Sequence, residues 1–242
     1  MNKSISLLAA ALSVALVQTV SAQDLKVGVG LALPPYIIQE SDSGIEVDIL
    51  RQSLPATFKT KLVYLPFARV KVSIGDGTAD ALTTVNESAG IKDAFFSNSH
   101  ITYQNVVVTL KSRDLKIGSV ADLSKLNVVA FQDATVYLGP NFAAMAKGNP
   151  RYSELSAQDS QVKMLFAERT DAIVMDINIY KYFKSKIKDV DVSKEVTIAE
   201  VFPPTEYKVA FKSKETAALF NSGLAKLKSS GQYAGILAKY TK

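Results

Sequence analysis

The sequence predicts an α/β protein built as two similar lobes, each a mostly parallel sheet flanked by helices. Three observations carry that expectation. Short apolar runs alternate with amphipathic stretches, a β-α-β rhythm that implies parallel strands joined by helical crossovers. The runs are continuously apolar, as strands covered on both faces are. Two segments also echo each other: GDGTADALTTV (75–85) and AERTDAIVMDI (167–177) both pass from a helix end through Thr and Asp-Ala into a strand.

The chain opens MNKSISLLAAALSVALVQTVSAQD. Lys3 gives a positive start, Ile5 to Val17 an apolar centre, and Val20-Ser21-Ala22 a small-residue cleavage site. That pattern predicts a signal peptide over residues 1–22, and the apolar stretch is short for a membrane span. LKVGVGL (25–31) reads as a strand stopped by Pro34-Pro35. GIEVDILRQSLPAT (44–57) places Ile45, Ile49 and Leu54 close to helical spacing. KLVYLPF (61–67) reads as a strand. ARVKVSIGDG (68–77) is ambiguous by periodicity and fits a short helix ended by Gly75 or Gly77. DALTTV (80–85) is the next strand.

The rhythm then repeats. NVVVTLK (105–111) is a long apolar strand, and SVADLSKL (119–126) a helix capped by Ser119 with Asp122 at its third position. NVVAFQD (127–133) is a strand, and ATVYLGPNFAAMAK (134–147) starts one helix. SAQDSQVKMLFAERT (156–170) is amphipathic, with Val162, Leu165 and Phe166 on one face. DAIVMD (171–176) is a strand, KYFKSKIKDVDVSK (181–194) an exposed helix and turn, and YKVAFK (207–212) a second long strand before two C-terminal helical stretches.

Composition narrows the class. The 242 residues carry a net charge of +5, 48% hydrophobic and 21% charged residues, one histidine and no cysteine. The positive excess is mild and unclustered, so no nucleic-acid partner is expected. Without cysteine there is neither a disulfide nor a lipid anchor on a cysteine, and the protein must rest on its core. Cleavage after Ala22 leaves about 220 residues, enough to bury a large one. His100 has no serine or cysteine motif around it, GVGLAL lacks the second half of a dinucleotide fingerprint, and no metal or cofactor is expected. Asp176 stands out. It ends an apolar strand, and a buried charge needs a partner: a proton, a metal, an arginine or an incoming ligand. It also precedes a helix that it could cap. Thr83-Thr84 and Asp176 both lie at carboxyl ends of strands, where open α/β sheets bind ligands. Two lobes with those ends facing each other would enclose one cleft.

Several stretches, in order, resemble the family-three extracellular solute-binding proteins of polar amino acid transporters, a group of type 2 periplasmic binding proteins. LKVGVGLALPPY resembles the opening strand and Pro-Pro-aromatic loop, and GIEVDILRQSL the Gly-aromatic-Asp-Val-Asp-Leu helix start, with Ile45 in place of the aromatic. LPFARVKVSIGDGTADAL, FFSNSHITYQNVVV, DLSKLNVVAFQDAT, YKVAFKSK and LKSSGQYAGILAKY follow in the family's order and spacing. The resemblance covers the whole mature chain. It implies a two-lobed flytrap, with lobe one over 24–107 plus 206–242, lobe two over 108–205, and two crossover strands as the hinge. It further implies a monomeric, non-enzymatic periplasmic protein. Such a protein captures a small polar ligand, an amino acid or an amine, and delivers it to an inner-membrane ABC permease or reports it to a sensor.

Residue by residue, the resemblance places Tyr36 as a ring against the ligand and Phe67 as the aromatic at a helix head. It places Thr84, with Thr83 beside it, as hydroxyls for the ligand carboxylate, Thr135 as an anion-binding helix start, and Asp176 against the ligand α-ammonium. One departure matters. The family's carboxylate-clamping arginine is missing from NESAGIKDAFFS, where Gly90 or Lys92 takes its place. Lysine is a point charge and not a planar fork. Arg69 is the candidate substitute, with Asn86 and Glu87 as further polar contacts, and a ligand whose carboxylate is displaced or absent also fits. The alternative activity is that of an enzyme on the same scaffold, similar to cyclohexadienyl dehydratases, with Asp176 or Glu87 as a general acid of raised pKa.

Overall fold

The structure, a computed structural model, describes residues 23–31 and 33–241, and the expected signal peptide lies outside the described residues. The chain first runs β1 (Gln23–Gly30), α1 (Ile45–Ser53), β2 (Phe58–Leu65), α2 (Phe67–Val70), β3 (Ala81–Val85), β4 (Phe95–Phe96) and β5 (Ile101–Tyr103). It continues as β6 (Asn105–Leu110), β7 (Val128–Phe131), α3 (Ala134–Tyr137), α4 (Gly139–Gly148), β8 (Tyr152–Leu155) and α5 (Gln158–Phe166). Then come β9 (Ala172–Asp176), α6 (Ile177–Lys186), β10 (Val196–Ala199), β11 (Thr205–Phe211), α7 (Lys214–Ser229) and α8 (Gln232–Tyr240).

These strands form two sheets. A six-stranded sheet has the order β2-β1-β3-β11-β4 with β5 also on β11, and a five-stranded sheet has the order β10-β6-β9-β7-β8. Within each, the βαβ units pair in parallel: β1 with β2 and β3, and β7 with β8 and β9. The long strands β11 and β6 run antiparallel to them, as chains returning from the other sheet must. The chain changes sheets at Gln104, slightly before the expected boundary at 107, because all of Asn105–Leu110 lies in the second sheet. It returns between Ala199 and Thr205, and Asn105 Nδ2 donates to Thr205 Oγ1 at 3.4 Å where the two passages meet. The core continues across this junction through Tyr36, Tyr103 and Tyr207.

Three local departures have physical reasons. The expected helix over 134–147 is broken at Gly139, whose φ of +84° lies in the left-handed region that glycine tolerates. Residues 120–125 wind as a 3-10 helix, with the capping box of Ser119 and Asp122 in place. β8, with the sequence YSEL, has no apolar alternation and is a strand because it lies at the edge of its sheet.

Helix packing around the first sheet depends on one close approach. A Cβ on Gly223 of α7 would lie 1.8 Å from the Ser53 carbonyl oxygen of α1. The obstacle is backbone, so the helices themselves must separate. Gly223→Ala is expected to cost about 3 kcal/mol, at the upper end for overpacked sites, measured as a lower urea midpoint. An unchanged midpoint would mean that the two helices slide freely.

Candidate functional site: a cavity between the lobes

A cavity of about 290 Å³ lies between the two sheets, at the lower limit of the roughly 300–1,000 Å³ usual for ligand sites. Leu31, Leu33 and Pro66 wall it from the first lobe, and Phe131, Ala157 and Ile179 from the second. Tyr103, Tyr207, Thr84, Gln158 and Asp176 also reach it.

Asp176 is the last residue of β9 and the N-cap of α6. Its Oδ1 accepts from the Asn178 and Ile179 amides at 2.8 and 3.0 Å, and from the Tyr36 hydroxyl at 3.1 Å. Its Oδ2 accepts from the Gln104 amide at 3.0 Å. The residue is 1% exposed. Burial pushes its pKa up to about 6 even though these hydrogen bonds pull the other way. Asp176 is therefore a helix cap and a cavity-lining carboxylate at once.

Tyr36 comes from the first lobe, so its bond to Asp176 spans the cleft; its hydroxyl also accepts from Asn178 Nδ2 at 3.0 Å. Its ring does not line the cavity. It stacks on Tyr103 with centroids 3.9 Å apart, and Tyr207 packs against Tyr103 edge-on at 4.8 Å. Tyr103 and Tyr207 are thus the rings that face the cavity. A second link between the lobes is the ion pair of Lys71 Nζ with Asp133 Oδ2, 2.7 Å apart.

The hydroxyls expected to meet a carboxylate are committed elsewhere. Thr84 has a φ of +57°, a strained value for a β-branched residue, where β11 shifts register opposite it. Its Oγ1 lies 2.9 Å from both oxygens of Glu46 and donates to that carboxylate, and it accepts from Thr83 Oγ1 at 3.1 Å. Glu46, in the first turn of α1, is fully buried and also accepts from Tyr103 Oη at 2.5 Å and His100 Nε2 at 2.8 Å. Thr135 donates its amide and its hydroxyl to Glu154 Oε1, at 3.1 and 3.2 Å. Asp133 N and Tyr152 Oη complete the surround of that carboxylate, at 2.6 and 2.7 Å.

Arg69, Gly90, Lys92, Asn86 and Glu87 lie apart from the cavity. Arg69 pairs with Asp76 at 3.3 Å, and its side chain is 63% exposed. Lys92 and Gly90 line a separate surface depression beside Asp76. Asn86 caps the turn 87–89 and donates Nδ2 to the Glu206 carbonyl at 3.2 Å. Glu87 pairs with Lys208 at 2.5 Å, and this hydrogen bond holds its pKa below the usual carboxylate range, the opposite of what a general acid needs. The backbone of Phe67 starts α2, and its side chain lies outside what the structure describes. Among the described residues, no arginine, lysine or histidine lines the cavity.

The profile described as "Bacterial extracellular solute-binding proteins, family 3" matches residues 25–242. The chain belongs to this family, and its fold is the two-lobed flytrap of periplasmic binding proteins. A mutant of ArgBP from T. maritima is 22% identical, with a TM-score of 0.72 over 90% of this chain and 94% of that one. The GluR0 ligand-binding core in complex with L-glutamate is 18% identical, with a TM-score of 0.75 over 92% and 100%. A histidine kinase sensor domain with similarity to periplasmic binding proteins is 19% identical, with a TM-score of 0.75 over 90% and 96%. At these identities the likeness is one of fold. No curated protein sequence matches the chain. Among the described residues, no helix is long and apolar enough to cross a membrane.

Proposed function

We propose that the protein is a periplasmic solute-binding protein that captures a small amino acid or amine in the interlobe cavity and hands it to an inner-membrane ABC permease. One observation carries this reading. Asp176 presents a buried carboxylate to an interlobe cavity that no positively charged side chain lines among the described residues, and a buried charge calls for an opposite one. Thr83, Thr84 and Thr135 serve as the framework that positions the walls, and Tyr36 as the latch on Asp176. The protein works as a monomer, lobe one ending near Tyr103 and resuming near Thr205, with hinge bending between the two passages.

The test is a thermal-shift screen of mature protein refolded free of carried-over ligand, against amino acids, amines, small carboxylates and prephenate. A ligand at a hundred times its dissociation constant adds about 2.7 kcal/mol to stability, which is readily read as a shift. A nitrogenous compound that shifts the wild type and not Asp176→Asn supports the reading. Stabilisation by carboxylates alone, indifferent to Asp176, overturns it. Lys71→Ala should weaken capture several-fold, since a partly exposed ion pair contributes up to about 1 kcal/mol, and the difference should shrink in high salt. Equal affinity in both proteins would show that this pair does not hold the lobes together.

The pKa of about 6 at Asp176 favours a second reading, a general acid acting on a prephenate-like substrate. Turnover of prephenate or arogenate would establish it. A sensor in place of the permease differs only in partner, and a pull-down with the ligand-bound protein separates the two.

A further inference from the structure

Resting on that reading, we infer that the ligand is an apolar-bodied primary amine without a carboxylate, and that Gln158 reads its ammonium group together with Asp176. Among the described residues the cavity is lined by one carboxylate and no cation, and its other polar side chains, Gln132, Ser156 and Gln158 among them, are neutral. Gln158, at the start of α5, lines it and is 6% exposed, yet its Oε1 has no hydrogen-bond partner. A buried amide oxygen without a partner is costly, so a donor from the ligand repairs a standing defect. Asp176 Oδ2 has one amide partner and room for another. An ammonium group has three donors and no acceptor, which suits this pair.

The same atoms argue against a carboxylate. Thr84 gives its proton to Glu46, Thr83 gives its own to Thr84, and Thr135 gives both amide and hydroxyl to Glu154. A ligand carboxylate would therefore enter a site that supplies no cation among the described residues and in which the threonine hydroxyls are spent, leaving only neutral donors such as Ser156 and Gln132. It would also meet the negative field of Asp176, with Glu46 behind Thr84. Desolvation without replacement is the device by which a site rejects a near-analogue. The walls of Leu31, Leu33, Pro66, Phe131 and Ile179 take an apolar body, and Tyr103 and Tyr207 add aromatic surface to the lining.

Two matched series test this by titration calorimetry on the mature protein: phenethylamine, phenylalanine and 3-phenylpropionate; isopentylamine, leucine and 4-methylpentanoate. In at least one series the amine should bind thirtyfold or more tighter than its parent amino acid, with no heat from the acid. Gln158→Met should weaken that amine about tenfold without lowering the melting temperature. Amino acid or acid binding as tightly as the amine overturns the inference and leaves the capture of a small ligand in this cavity standing. Silence from all six compounds, with another compound of the thermal-shift panel binding through Asp176, does the same. Silence across the whole panel overturns the binding reading and the inference with it.

Discussion

Asp176→Asn is expected to lose ligand by a hundredfold or more while the protein stays folded. The variant keeps an oxygen for the Asn178 and Ile179 amides and the Tyr36 hydroxyl, and asparagine caps helices about as well as aspartate. What disappears is the charge, together with the acceptor for the Gln104 amide, a backbone donor on a chain passage that is only part-buried. A hydrogen bond to a charged partner contributes about 1.5–3 kcal/mol, and leaving a buried ammonium unpaired costs more. Acid should do to the wild type what the substitution does. Tyr36, Tyr103 and Tyr207 surround this carboxylate, and burial raises the pKa of each, so all stay neutral between pH 5 and 8. An amine stays cationic over that range, whereas Asp176 takes up a proton near pH 6. Affinity should therefore fall about tenfold from pH 7.5 to pH 5, and the residual affinity of Asp176→Asn should not change. Stability should move the other way. The folded pKa lies above the ordinary 3.8, so the charge costs the unliganded fold as pH rises through about 6, and costs nothing below 3.8. Relative to Asp176→Asn, the wild type should gain about 2 kcal/mol between pH 7.5 and pH 4.5. Paired urea titrations would show it, and parallel pH profiles would mean that Asp176 is solvated.

How far the site could be read from the sequence depended on whether a residue's role is set by its own strand or by a distant one. Asp176 was legible because β9 is apolar to its last residue and a helix begins there, so position alone implied both burial and a cap. The β-α-β order of each lobe was legible for the same reason, since periodicity reports which face of each element is covered. Glu46 was not. An acidic residue in a first helical turn fits the helix dipole and gives no sign that Thr84, His100 and Tyr103 will converge on it. Glu154 was hidden in YSEL, an edge strand with no apolar alternation. The position of Tyr36 after the double proline points to the ligand, yet its ring stacks on Tyr103, which lines the cavity, and only the fold shows which of two stacked rings is outermost. Arg69 shows the limit of counting charges: a cation was expected near the cavity, and the nearest arginine in the sequence faces Asp76 and solvent.

Glu46→Gln is expected to be the most destabilising change in the molecule, at about 3–5 kcal/mol, the usual loss when one member of a buried charged network is removed. Against a total stability of about 5–15 kcal/mol for a domain, that brings the lobe close to unfolding. The reason lies in the count of donors. Thr84 Oγ1, Tyr103 Oη and His100 Nε2 all converge on two carboxylate oxygens with no solvent contact. A glutamine amide keeps only one acceptor oxygen, so at least one of the three must turn its proton away or, for His100, change tautomer to accept from the amide. The same network explains why the cost should reach the cavity. Glu46 fixes the hydroxyl of Tyr103, whose ring is a cavity wall, and holds Thr84 at its left-handed φ, a conformation that persists only where the surroundings over-determine it. Loss of stability and loss of affinity should therefore go together, unlike in Asp176→Asn, where they separate. Tyr103→Phe removes one donor and keeps the ring, and should recover part of the loss when combined with Glu46→Gln. The measurement is a double-mutant cycle in urea. A coupling below about 0.5 kcal/mol would place the two residues in independent environments, and the account of Glu46 as the anchor of the cavity wall would then fail.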